Sequence, residues 1–92
     1  MPAITGAPFE AFGLRFDRYV FVCIGDEIPL HVHPYDHLAI VAHGRVAAFA
    51  EDGTREFEAP DVVIFRAGRR HGIRALTNGA VVLNVMQAPI GA

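Results

Sequence analysis

Apolar residues along this chain come in short β-prone bursts, each stopped by Gly, Pro, Asn or Asp. Leu14 to Ile24 is rich in Phe, Tyr and Val, with Arg15, Asp17 and Arg18 interrupting its first half, and Gly25-Asp26-Glu27 breaks it. His37 to Ala42 is apolar and ends at Gly44. Arg45 to Ala50 and Thr54 to Phe57 flank Glu51-Asp52-Gly53, and an Asp-Gly pair between such runs signals a hairpin whose central residues take positive φ. Pro60-Asp61 turns the chain into Val62 to Phe65. His71 to Leu76 follows Gly68, and Asn78-Gly79 reads as a second hairpin turn into Ala80 to Met86. The pattern predicts about seven to nine short strands and no helix, an all-β sandwich or barrel. Its expected core is Phe16, Val20, Val22, Leu38, Ile40, Val46, Val63, Phe65, Ile73, Val82, Leu83 and Val85. The termini, Met1 to Pro8 and Ala88 to Ala92, read as loosely held.

Composition narrows the picture. A chain of 92 residues reads as one domain, residues 1–92, with a core of limited stabilising power. It is 52% hydrophobic, slightly rich for a soluble domain, which suggests that a second copy covers part of the surface as a homodimer. The net charge is −2 and every basic residue is arginine, so no global field argues for nucleic acid or an anionic membrane as partner. No apolar run reaches the length of a membrane-spanning helix, and Met1 to Gly6 carries no basic segment of the secretory kind. Cys23 is the only cysteine, so no internal disulfide forms, and the expected location is the cytoplasm. Cys23 sits in an apolar run and reads as a buried structural thiol with no adjacent base to activate it.

The candidate chemistry lies in the histidines. His31, His33 and His37 stand as H-x-H-x3-H, with His71 further on. Neutral imidazole is the commonest side-chain metal ligand. Two histidines two apart on an extended strand share a face, about 6.6 Å apart, and can lean onto one ion. His43 shares the parity of His37 but lies about 20 Å along the strand, which makes it a turn residue and not a ligand.

Two stretches resemble the conserved motifs of the cupin family. Gly25-x5-His31-x-His33-x3-His37-x6-Gly44, residues 25–44, is similar to the first, with His37 where the family normally has Glu. Pro60-x5-Arg66-x-Gly68-x2-His71, within residues 60–75, is similar to the second, with Pro60, Arg66 and Ala75 replacing the usual Gly, Pro and Asn. The resemblance implies a cupin-type double-stranded β-helix, a jelly-roll barrel. It also implies one divalent transition metal held by His31, His33, His37 and His71. Imidazole suits Zn, Ni and Fe alike. Four neutral ligands leave the ion's charge uncompensated, which favours an anionic or enolisable small-molecule substrate. The chemistry then expected is that of a dioxygenase if the metal is iron, or of an isomerase or cyclase if it is zinc or nickel. The alternative is a non-catalytic small-molecule-binding or sensor module.

Other residues carry two readings. Asp36 either holds an imidazole N–H or is a loop carboxylate in the Pro34-Tyr35-Asp36 turn, and the turn composition favours the loop. Tyr35 reads as a packed phenol, with proton donation to a substrate as the alternative. Arg66, Arg69, Arg70 and Arg74 cluster around His71. They form either an anion clamp or an outward, solvated face balanced by Glu56, Glu58 and Asp61, and a turn that points outward favours the latter.

Overall fold

The computed structural model describes residues 1–88; the expectation for Ala88 to Ala92 therefore falls, from 89 onward, outside the described residues. Ten strands form in chain order: β1 (Ile4–Thr5), β2 (Phe9–Ala11), β3 (Leu14–Phe21), β4 (Glu27–His31), β5 (His37–His43), β6 (Arg45–Ala50), β7 (Gly53–Glu58), β8 (Val62–Phe65), β9 (His71–Ala75) and β10 (Ala80–Gln87). They make two sheets. One has six strands in the order β1-β3-β10-β5-β8, with β2 also on β3; the other has four, β4-β9-β6-β7. Every strand pair within the sheets is antiparallel. Successive strands such as β5 and β6, or β9 and β10, lie in different sheets, the crossing pattern of a jelly roll. No helix occurs among the described residues.

The core lies between the sheets and is built by one parity of each strand. Phe21, Val41, Val46, Ile73, Ala75, Ala80 and Val82 form its centre, with Ala39 beside them. Of the expected core, Val46, Ile73 and Val82 are buried between the sheets, and Val85 is buried on the outer face of the larger sheet. Phe16, Val20, Ile40, Val63, Phe65 and Leu83 are half-buried, while Leu38 and Val22 are exposed. The error on β5 has a clear cause: side chains alternate across a strand, so an inward His37 puts Ala39 and Val41 inside and Leu38 and Ile40 outside. Val22 fails for a different reason. Strand β3 ends at Phe21, and Val22, Cys23 and Ile24 form an exposed exit. Cys23 is thus an exposed thiol, not a buried one.

The turns also differ from expectation. Ala50 pairs directly with Gly53, so the two-residue loop is Glu51-Asp52, neither of which has positive φ, and Gly53 belongs to the strand. Asn78-Gly79 joins strands of different sheets and is no hairpin; Asn78 Oδ1 instead accepts the Ile24 N–H at 2.8 Å. The positive-φ hairpin is Phe12-Gly13, between β2 and β3, with φ of 55° and 74°. Gly44, at φ 75°, carries the chain from one sheet to the other; a Cβ there would strike the Thr77 hydroxyl and Ala80. The N-terminus is tied down. Its backbone pairs with Glu27, and its amine lies 3.6 Å from the buried Asp26 carboxylate.

Candidate metal centre

The two sheets bring the ends of β4, β5 and β9 to one mouth of the barrel. His31 closes β4 and faces His71, which opens β9, as a cross-strand pair. His33 follows in the loop, and His37 opens β5 opposite Phe65 at the end of β8. The H-x-H pair thus sits on a strand end and a loop, and the rings still converge: His31 and His33 meet at 4.5 Å between centroids, as do His31 and His71. One ring nitrogen from each of His31, His33 and His71 can be chosen so that all lie within 4.8 Å of one another. His37 stands outside that trio, yet its Nε2 is 3.3 Å from the Nε2 of His71.

Backbone carbonyls set the protonation of these rings. A carbonyl oxygen only accepts, so the ring nitrogen facing it carries hydrogen. His31 Nδ1 donates to the Pro29 oxygen at 2.7 Å and His71 Nδ1 to the Arg69 oxygen at 3.1 Å, which turns Nε2 of each ring toward the cluster. His37 Nδ1 points at the Leu38 oxygen, at 3.4 Å. The Nε2 atoms of His37 and His71 face each other, a contact that is satisfied either by a hydrogen on His37 Nε2 donated to His71 or by a cation shared between two lone pairs. Burial pushes the pKa of His33 and of His37 down, and the neighbouring histidines add to the depression. His71 is pushed down to about 4, mainly by burial, against the opposing hydrogen bond to Arg69. Neutral rings with free lone pairs are what a transition metal requires. The donor set fits such an ion.

Phe65 buttresses the centre. Its ring stacks on His71 at 4.2 Å and on His37 at 5.3 Å. Beside it opens a cavity of about 390 Å³, lined among others by Arg55, Phe57, Phe65, Arg66, Arg69, Arg70 and His71. Three of the four clustered arginines, Arg66, Arg69 and Arg70, line the mouth of this cavity and are exposed, as expected of an outward, solvated turn. Arg74 does not: it lies on the outer face, paired with Glu27 and set over the Phe49 ring. Their partners are Asp36, Asp52 and Glu51, and not the Glu56, Glu58 and Asp61 expected. Asp36 is a loop residue that accepts the Ala67 N–H at 2.7 Å and so fastens the loop before β5 to the end of β8. Tyr35 stacks on His33 at 4.9 Å but is exposed, not packed. His43 lies at the far end of β5, exposed, with Nδ1 3.1 Å from the Gly79 oxygen.

Two residues here carry no chemical signal in the sequence: Phe65 reads as core alone, and Arg55 as an ordinary strand residue. Alternation from Phe57 would have put Arg55 on the inner face of β7.

Comparison with known proteins agrees with this architecture. A family profile described as a cupin domain matches residues 19–86. This chain belongs to the cupin family. Among solved structures, the cupin superposes on an uncharacterised conserved protein with a double-stranded β-helix domain from Klebsiella pneumoniae (TM-score 0.82, 19% identity, 99% of this chain and 81% of that one). It is similar to a cupin superfamily protein from Desulfitobacterium hafniense (TM-score 0.79, 15% identity, 95% and 78% covered). It is also similar to KdgF from Halomonas (TM-score 0.77, 20% identity, 88% and 75% covered). No curated protein matches the chain in sequence.

Proposed function

We propose that this cupin is a small metalloenzyme acting on a small anionic or enolisable organic molecule, with one divalent transition metal (zinc, nickel or iron) held by His31, His33, His37 and His71. The observation that carries the reading is the convergence of three imidazole nitrogens within 4.8 Å beside an open cavity. An ion bound there supplies Lewis acidity toward a ligand oxygen or water. The chain's own residues do the rest. The Pro29 and Arg69 carbonyls hold the tautomers of His31 and His71. Phe65 shields one side of the centre from water. Of the arginines lining the cavity, three are paired with carboxylates, and the fourth, Arg55, leaves a positive charge that favours an anion. Oxygen-dependent cleavage suits an iron-loaded site of this kind, and isomerisation or cyclisation a zinc- or nickel-loaded one.

A second reading, a binding or sensor module, draws support from one observation: among the described residues, no carboxylate hydrogen-bonds any of the four rings to serve as a proton acceptor. The proposal extends to a homodimer in the cytoplasm. The first part is supported by exposed Ile4, Phe9, Leu38, Val62 and Ile64 on the outer face of the larger sheet, the second by the single thiol.

The test is elemental analysis of untagged protein purified without added metal. About one equivalent of a single transition metal is expected. His33→Ala and His71→Ala should lose most of it and His43→Ala should retain it. A wild-type protein without metal sinks the reading. Comparing turnover of candidate enols and diketones with and without oxygen then separates the reaction types, and absence of any turnover favours the sensor.

A further inference from the structure

Four arginines line the cavity beside the histidines, and three of them are already matched. Arg69 meets Asp52 at 2.7 Å, Arg66 meets Asp36 at 3.5 Å and Arg70 meets Glu51 at 3.6 Å. Arg55 differs. Among the described residues no carboxylate lies within ion-pair distance of it. Its backbone position is also unusual. Arg55 pairs with Ala48, Ala48 with Ile73 and Ile73 with Ile28, a row whose buried member, Ile73, places it on the interior side of the sheet. An exposed, unmatched guanidinium therefore lines the cavity from the inner face of the edge strand β7.

Two aromatic rings frame it. The Arg55 guanidinium carbon lies 5.5 Å from the Phe57 ring centroid, a cation–π contact that holds the side chain along that wall. Phe65, stacked on His71, forms another wall. Strand spacing separates the Arg55 and His71 backbones by about 12 Å. That span suits a compact molecule held between the two side chains.

We propose that Arg55 seats the carboxylate of a small, flat organic acid, whose unsaturated body lies between Phe57 and Phe65 and whose other end reaches the histidine centre. Guanidinium binds carboxylate through two parallel hydrogen bonds, which fixes orientation as well as charge. The seat deepens the metalloenzyme reading and rests on it only for the contact at the histidines. A rival role for Arg55 is to guard the edge strand against pairing with another chain, a known use of inward charges. An edge guard confers no preference for a carboxylate.

The experiment uses benzoate as probe and benzamide as its neutral isostere, titrated calorimetrically at low salt into zinc-loaded and metal-free protein. Wild type should bind benzoate at least tenfold more tightly than benzamide. Arg55→Gln should lose at least tenfold in benzoate affinity while leaving benzamide affinity and zinc content unchanged. Arg55→Lys, which keeps the charge but not the paired donors, should fall between. Equal benzoate binding by wild type and Arg55→Gln, or no preference over benzamide in wild type, overturns the seat. If the protein takes up neither zinc, nickel nor iron yet metal-free wild type shows the Arg55-dependent preference, the metal reading fails and the seat stands.

Discussion

Burial holds the His71 imidazole at about 4, with the Arg69 carbonyl pulling upward and the fields of His31, His37 and His33 pulling further down. The consequence for stability follows from proton linkage. Above the unfolded value of 6.5 neither state binds the proton, so this group makes stability independent of pH. Between 6.5 and about 4 the unfolded chain takes up the proton and the folded chain does not, so stability falls as pH falls, by up to about 3 kcal/mol. His33 and His37 are depressed in the same direction and add to the loss. Metal-free protein unfolded with urea should therefore show a lower midpoint at about pH 5 than at about pH 7.5, and His71→Gln should flatten the difference. An unchanged midpoint in wild type contradicts the buried, neutral cluster. At this scale the sequence already displayed most of the centre, because H-x-H-x3-H and a later histidine are visible as letters. What it hid was which ring nitrogen of His31 and of His71 carries hydrogen, which the carbonyls of Pro29 and Arg69 decide.

Strands and turns were legible to different degrees. The stretches 45–50 and 62–65 were read with the observed ends, and β5 and β10 to within one residue. Which face of a strand points inward was harder, because β5 is apolar on both faces: Leu38 and Ile40 look as core-like as Ala39 and Val41. Only the partner sheet chooses between them. The choice has a measurable consequence. Val41 is 1% exposed and Val22 is 52% exposed, so the same substitution should act differently at the two sites. Val41→Ala should cost about 2 kcal/mol by thermal or chemical denaturation, from lost burial and the cavity left behind. Val22→Ala should stay within about 0.5 kcal/mol. Equal losses would mean that the β3 exit is packed after all. Turns were misread for a related reason. Asp-Gly and Asn-Gly favour tight hairpins locally, but Asn78-Gly79 bridges two sheets, and the hairpin with positive φ formed at Phe12-Gly13.

Across the whole molecule the two faces of the larger sheet have opposite fates. Its inner face carries Phe21, Ala39, Val41 and Val82 against the smaller sheet, but also the buried polar pair Asp17 and Asn84, which oppose each other on β3 and β10. Its outer face runs Phe9, Phe16, Val85, Leu38 and Ile64 in one row of paired strands, and Arg18, Leu83, Ile40 and Val62 in the next. Such a surface, largely apolar and unpartnered within one chain, is where a second copy would dock. Ile64→Asp places a charge on a position that is 56% exposed, so the fold should survive. In sedimentation, wild type should run as a dimer at micromolar concentration and Ile64→Asp as a monomer with unchanged circular dichroism. A monomeric wild type removes the homodimer.

The letters alone carried the β class, the strand spacing, the cupin likeness and the four histidines. Each is local: alternation, turn chemistry and short spacings are properties of neighbouring residues. The tertiary structure decided which side of β5 is interior, that Arg66, Arg69 and Arg70 flank the cavity while Arg74 does not, and that Arg55 has no acidic partner in it among the described residues. Those outcomes depend on how two sheets face each other across many intervening residues. Burial and charge matching are settled by neighbours in space, which a one-dimensional pattern does not supply.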